Sequence, residues 1–310
     1  MNATERMMSP QLTTLSGVEP EPVTFTRETI YQENTPFENF LFALAHQQPE
    51  RAIELLHEWI ETLPSYDGPA DGSDVVLPDV KAPIDIPRHW IEKPVHFIPG
   101  GFANPKAPRI IYVARNQYFF CQEQTIKEWL WKVHGSKSPK RILDMGCGTG
   151  TTTFVYGELF PTAEVIGIDL SAPLIRFCRE WKNQRRASNV SFYQENAEAT
   201  HWANESFDIV HFTYVLHEMP QENARKILHE MSRLLKPGGT FSAMEVMYDE
   251  TPEEREARVK RSPAAEPFLE EYMQFNLPVA IGEAGFECVE RHYANKFPST
   301  DGMFLTALKP

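Results

Sequence analysis

From residue 140 onward, short apolar runs alternate with stretches whose apolar residues recur every three or four positions. A short apolar run bounded by turn residues reads as a buried strand, and the three-to-four spacing reads as an amphipathic helix. The runs are Ile142-Leu143, Val165-Ile-Gly-Ile168, Val190-Ser-Phe-Tyr193, the segment Ser206–Thr213, and Thr240-Phe-Ser-Ala-Met-Glu-Val246. Helices fall between them: one opening at Thr151, one over Ala172–Lys182, and one starting near Pro220. The last carries Ala224, Ile227, Leu228, Met231, Leu234 and Leu235 on one face. Alternation of strand and helix predicts a mostly parallel sheet covered by helices. A short helix over Val279–Gly285 follows, and then Cys288–Tyr293 and Met303–Leu308 read as an antiparallel pair closing the sheet.

The pattern before residue 140 is different. Residues 1–35 are polar, with little periodicity, and read as a disordered or loosely attached tail. Phe37, Phe40, Leu41 and Leu44 share one helical face. After Pro49, so do Ile53, Leu56, Trp59, Ile60 and Leu63. Such a hairpin is either a plain structural pair or a cap over a pocket. Residues 64–110 carry nine prolines, which block helices and central strands, yet Val75, Ile84, Trp90, Phe97 and Ile98 are too apolar for a free linker. The expectation is an ordered, irregular segment packed on the main domain. Asn116–His134 reads as a helix, with Tyr118, Phe119, Ile126, Trp129, Leu130 and Val133 as its apolar set. Residues 249–276 interrupt the later alternation. They show a charged helix over Pro252–Arg261 and a more apolar one with Phe268, Leu269, Tyr272, Met273 and Phe275. They are either a lid or surface decoration. The organisation expected is a tail (1–35), an extension (36–110) and a main domain (111–310) with a lid insertion at 249–276.

Composition narrows the partners. A net charge of −13 argues against a nucleic acid partner, because phosphate binding needs clustered Lys and Arg. Four cysteines without a C-x-x-C pair read as reduced thiols in a cytoplasmic protein, and no metal site is expected. No apolar run reaches the ~20 residues that span a membrane, so no membrane partner is expected either.

The candidate chemistry centres on Asp144-Met-Gly-Cys-Gly-Thr-Gly150, where the first strand runs into a tight turn and then a helix start. Glycines 146, 148 and 150 leave no Cβ where a ligand must come close. The helix opening at Thr151 offers free N–H groups and a positive dipole end. A dinucleotide fingerprint would need a third glycine at the position Thr151 takes, and a P-loop would need a Lys after Gly150. Nineteen residues after Gly150, Asp169 ends the second apolar run, where a carboxylate can accept both hydroxyls of a ribose.

With these residues, and with Ser206–Pro220 and Leu235-Lys-Pro-Gly-Gly239 following in order, the chain resembles the class I S-adenosylmethionine-dependent methyltransferases from about Tyr112 to Pro310. The resemblance implies a Rossmann-like α/β fold: a seven-stranded, mostly parallel sheet with an antiparallel last strand. The N-terminal helical and irregular extension and the helical lid are additions to it. It also implies S-adenosylmethionine as cofactor, held through Asp144, Gly146, Gly148, Gly150, Asp169, Leu170, Asn196, Ala197 and Thr213. Asn196 stands where the family usually has an acid that binds the adenine amino group. Its amide oxygen can still accept that bond without charge assistance, or Asn196 is only a turn former.

Methyl transfer from a sulfonium needs alignment and exclusion of water, and a base only if the acceptor must lose a proton. His217, Glu218 and Glu245, at the ends of the fourth and fifth strands, are the catalytic candidates. His211 reads as a core histidine, and Tyr214 as lining for the acceptor pocket. The expected acceptor is a small, apolar or aromatic molecule. A protein side chain, or a regulatory protein that binds the cofactor without transferring methyl, are the alternatives.

Overall fold

The computed structural model describes residues 36–43, 48–92, 96–115, 123–246, 251, 253, 256, 266–293 and 302–310. The expected tail, the first part of the helix expected from Asn116, and the charged helix expected over Pro252–Arg261 lie outside the described residues, apart from isolated positions of the last.

Five strands, β1 (Arg141–Met145), β2 (Glu164–Asp169), β3 (Val190–Gln194), β4 (Phe207–Thr213) and β5 (Leu235–Val246), pair in parallel. β6 (Glu287–Tyr293) and β7 (Gly302–Leu308) complete a seven-stranded sheet of order β3-β2-β1-β4-β5-β7-β6, in which β7 runs antiparallel to both neighbours. The fold class is the expected one. The strand order reverses between β1 and β4, so the carboxyl ends of these strands open a crevice where such sheets take ligands. Asp144, Asp169, Thr213 and Glu245 all stand on those ends.

Two apolar layers fill the faces of the sheet. On one, Leu143, Val210, Phe212 and Phe241 pack against Ile227, Leu228 and Met231 of α8 (Gln221–Leu234). The same layer takes in Leu269, Tyr272 and Phe275, so the segment expected as a lid is rooted in the main core. On the other, Ile142, Val165 and Ile209 pack against α5 (Glu123–His134), α6 (Thr151–Leu159) and α7 (Ala172–Arg185).

The extension has its own apolar cluster. Helix α1 (36–43) sets Phe37 and Phe40 against Trp59 of α2 (Pro49–Thr62), with ring centroids 5.5 and 5.4 Å from Phe37. Aromatic pairs of this kind add about 0.5–1.5 kcal/mol beyond their burial. Ile98, Ile110 and Val113 join the cluster.

Two expectations need correction. The proline-rich segment is not helix-free: it holds α3 (Arg88–Glu92) and the start of α4 (Ala107–Val113). Pro108 sits in the first turn of α4, where a missing N–H costs nothing, so proline density alone was a poor guide. The fifth strand starts at Leu235, five residues before the Thr240 that the apolar run indicated. α8 stops at Leu234 and β5 begins at Leu235, with an irregular pairing against β4 that absorbs Pro237 and the left-handed Gly238.

Candidate cofactor and acceptor site

β1 ends at a turn built on three left-handed glycines, Gly146, Gly148 and Gly150, at φ +67°, +56° and +78°. A Cβ on Gly146 would fall 2.6 Å from the Val215 side chain, and one on Gly148 would fall 2.9 Å from Nη1 of Arg115. Gly148 therefore excludes other residues chiefly by conformation, because the end of Arg115 can move aside, whereas Gly146 is closed by both conformation and space.

Asp169 braces this turn. Its Oδ2 accepts from the Gly148 N–H at 2.9 Å, and its Oδ1 accepts from the Ser171 N–H at 2.9 Å. Asp144 is buried beneath, and its Oδ2 accepts from the Thr153 hydroxyl at 2.6 Å. Burial pushes the Asp144 carboxyl up to about 7, against the pull of Thr153 and Arg115. Burial also raises Asp169, against the two N–H donors and Arg115. Two buried polar atoms of the turn, Asp144 Oδ1 and Thr149 Oγ1, have no hydrogen-bond partner. Unpaired buried polar atoms beside a Cβ-free cradle are what a polar ligand would satisfy.

The remaining expected cofactor residues stand at or just beyond the carboxyl ends of β2, β3 and β4. Leu170 offers its carbonyl to the Gln194 amide at 2.9 Å. Ala197 packs half-buried on the main core. Thr213 is buried, its hydroxyl 3.1 Å from that of Thr152 and 2.7 Å from His211 Nε2. The Asn196 oxygen accepts from the Glu198 N–H at 2.9 Å, and its NH2 donates to the Asp85 carbonyl at 3.3 Å. His211 also meets the Ser242 hydroxyl at 3.1 Å, so both of its ring nitrogens are engaged inside the core.

Beyond the ends of β4 and β5 the three catalytic candidates come together. Glu245 is buried; its Oε2 accepts from the N–H groups of Val215 and Leu216, and its Oε1 lies 2.6 Å from His217 Nδ1. His217 Nε2 stands 3.5 Å from Glu218 Oε1. A fourth member, which sequence reading missed, is His96 of the extension, whose Nε2 lies 2.9 Å from the same Glu218 oxygen. Carboxylate and imidazole alternate along this row. Burial alone would lower His217, but Glu245 and Glu218 hold it well above the ordinary imidazole range. His96 is raised likewise: burial opposes, while Glu218 and Glu266 favour the charged form. Glu218 is held well below the usual carboxylate range by His96 and His217, although burial pushes the other way.

Aromatic rings line the row. Tyr214 and Tyr272 present their ring systems to His217 at 6.0 and 6.1 Å, and Phe102 meets His96 at 5.9 Å. Tyr214, His96 and Phe97 all have positive φ (+53°, +55° and +57°), a conformation that costs non-glycine residues energy and that clusters at functional positions.

The extension is stitched to the carboxyl edge of the sheet. The Gln194 N–H donates to the Val75 carbonyl at 2.8 Å, and the Ser171 hydroxyl donates to the Phe102 carbonyl at 2.6 Å. Arg176 forks onto both oxygens of Asp74 at 2.8 Å, and Arg179 donates to the Asp74 carbonyl at 2.6 Å. His89 and Phe268 meet edge to face at 6.0 Å, which joins the extension to the segment after residue 265. Nothing in the sequence pattern marked these contacts.

Comparison with known proteins agrees with this geometry. A family model described as a methyltransferase domain matches residues 136–277. The chain is 33% identical over 134 residues to a demethylmenaquinone methyltransferase of Lactococcus lactis, an alignment covering 43% of this chain and 52% of the relative. It is 31% identical over 121 residues to a ubiquinone/menaquinone biosynthesis C-methyltransferase of Pectobacterium carotovorum, covering 38% and 47%. The chain thus spans about half the length of the curated relatives it matches. A solved phosphoethanolamine N-methyltransferase 2 of Haemonchus contortus shares the fold, with a TM-score of 0.50 and 18% identity over 65% of this chain and 57% of that one. The glycine turn, its aspartates Asp144 and Asp169 and the strands β1 to β5 all lie within the matched region, which is similar to a methyltransferase domain.

Proposed function

We propose that the chain transfers a methyl group from S-adenosylmethionine to a small aromatic acceptor with an ionisable oxygen. The observation that carries this reading is the row Glu245–His217–Glu218–His96, ringed by Tyr214, Tyr272 and Phe102, beyond the strand ends that hold the glycine turn.

In this reading Asp169 would take the ribose hydroxyls, the turn the methionine portion, and Asn196 with Ala197 would border the adenine. When bound, the cofactor supplies an electrophilic methyl on a sulfonium. The chain's task is then alignment, exclusion of water and control of charge on the acceptor. His217 enters as a charged donor, not as the neutral base a free imidazole would be, because two carboxylates keep its proton on. An imidazolium there favours an oxyanion, and an aromatic oxyanion makes its own oxygen, or a ring carbon beside it, nucleophilic. Glu245 fixes the ring through Nδ1, and the aromatic walls select a flat acceptor. The names of the two bacterial relatives, which concern quinone biosynthesis, support an acceptor of this kind.

The test is release of S-adenosylhomocysteine with a reduced naphthoquinol and with its dimethyl ether. Turnover of the quinol alone is expected. Equal turnover of the ether would remove the role given to the oxyanion.

A further inference from the structure

In the row of alternating carboxylates and imidazoles, Glu218 has an oxygen left over. Its Oε1 is shared by two rings, His96 Nε2 at 2.9 Å and His217 Nε2 at 3.5 Å. Its Oε2 is buried and has no hydrogen-bond partner among the described residues. Glu245, by contrast, has both oxygens filled. Its Oε1 meets His217 Nδ1 and the Val246 N–H, and its Oε2 accepts from the N–H groups of Val215 and Leu216. A buried carboxylate oxygen without a donor is costly, and a folded protein keeps one only where a ligand or a function accounts for it.

The open oxygen is aimed. His96 pins the other oxygen from the extension, across 122 residues of sequence. His96 and Phe97 hold left-handed backbone at φ +55° and +57° to do so, a local cost that the surrounding fold maintains. Side-chain exposure climbs along the row, from 0% at Glu245 and 5% at His217 to 13% at Glu218 and 31% at His96. Glu218 therefore stands where the sealed part of the row gives way to its open end.

Two properties define the group that Oε2 would receive. Burial pushes the Glu218 carboxyl up, yet His96 and His217 hold it well below the usual carboxylate range, so it offers an acceptor and not a proton. The two imidazoles of the row balance its two carboxylates. A neutral hydroxyl then adds no charge to the buried site, whereas an ammonium would add one without a partner. The rings of Tyr214, Tyr272 and Phe102 make the surroundings suited to a flat molecule that carries this hydroxyl.

We propose that Glu218 Oε2 holds the acceptor through a hydroxyl that stays protonated, distinct from the oxygen activated for methyl transfer, and that His96 is the positioning residue that aims it. This inference rests on the methyl-transfer reading above and adds a second oxygen to the acceptor. His96 lies outside the region matched by the methyltransferase model, 136–277, so the selectivity comes from the extension.

A cycle over ligand and protein tests it. The acceptors are a reduced naphthoquinol and its monomethyl ether, which keeps one ionisable oxygen and lacks the second O–H donor. Their kcat/KM values would be measured on the wild type, Glu218→Gln, His96→Ala and His96→Gln. The wild type is expected to favour the quinol by about tenfold or more, chiefly through KM, the scale of one hydrogen bond to a charged group. In Glu218→Gln and His96→Ala the ratio should fall at least about threefold. His96→Gln keeps a donor toward Oε1 and should retain more of the ratio than His96→Ala. A merely structural role would lower both acceptors together, and a preference set by the bulk of the methyl would survive every substitution. An undiminished ratio in Glu218→Gln would therefore overturn the role of Oε2, and one in His96→Ala the role of His96. A wild type that does not discriminate would overturn both. If Glu218→Gln fails to fold, the half-exposed His96 and the wild-type ratio decide. A wild type that methylates neither acceptor would bring down the methyl-transfer reading itself, an outcome distinct from failure of Glu218 alone.

Discussion

The glycine turn and the cover over the acceptor side are assembled in opposite ways. The turn is local: Asp169 braces Gly148 across 21 residues of sequence, and Thr153 reaches Asp144 across nine. The cover is made of distant parts. His96 meets Glu218 across 122 residues, and Arg176 meets Asp74 across 102. Local constraints leave a spacing in the sequence, because the turn admits glycine and little else. Long-range contacts leave none, because any loop that arrives with the right side chain will serve. By our reading the turn fixes what is bound and the cover selects what is methylated.

The same contrast appears in the ionisable groups. In the core beneath the sheet, burial, with Lys137 nearby, lowers His134 to about 3, and His211 is lowered as well. In the cover, carboxylates raise His96 and His217. One region is built to keep imidazole neutral and the other to keep it charged.

Replacing Glu245 should produce the largest change in stability. Glu245→Gln leaves a buried His217 with only Glu218, 3.5 Å away, as counter-charge and weakens the acceptor for the N–H groups of Val215, Leu216 and Val246. Breaking a buried pair in this way costs about 3–5 kcal/mol. Urea unfolding is expected to show a loss of that order, whereas a loss of only a few tenths would mean that the row is loosely held.

A smaller effect follows from pH. The folded pKa values of His96 and His217 lie above the unfolded value of about 6.5, so their stabilisation is complete below that pH. It is lost as pH rises through the folded values. For His134 and His211 the sign is reversed: their contribution is present above about pH 6.5 and is lost as pH falls below it. NMR of the imidazole carbons should find His217 still charged at pH 7.5 and His134 still neutral at pH 5. The opposite pair of states would erase the distinction between core and cover.

The smallest effects belong to the segment after residue 265. Tyr272 donates to the Val246 carbonyl at 3.2 Å and packs beside His217, and Phe268 is buried against the extension's His89. Tyr272→Phe and Phe268→Ala should raise the acceptor's KM severalfold while leaving cofactor affinity within about twofold, since neither touches the turn. Acceptor kinetics unchanged in both variants would reduce this segment to decoration.

Much of the cofactor half was legible in the sequence. Alternating apolar runs gave the strands, and the glycines with Asp169 gave the turn. The meeting of His217, Glu218 and Glu245 was expected from the strand ends. What stayed hidden has a physical reason in each case. His96 reaches Glu218 from a chain segment whose conformation no periodic pattern specifies. The helix at Ala107–Val113 was hidden by Pro108, which falls in its first turn, where proline is tolerated. β5 was expected only from Thr240, because Lys-Pro-Gly-Gly carries no strand pattern, and pairing with β4 extends it back to Leu235.

The most direct test is a calorimetric titration with S-adenosylhomocysteine on the wild type, Asp169→Ala and Gly148→Val. The wild type should bind one equivalent. Asp169→Ala should bind about tenfold or more weakly, because it loses the proposed ribose contact and leaves two N–H groups without their acceptor. Gly148→Val should show no measurable heat, because valine cannot adopt φ +56° without strain and its side chain would meet Arg115. A wild type that gives no binding, or affinities unchanged in both variants, would contradict the account.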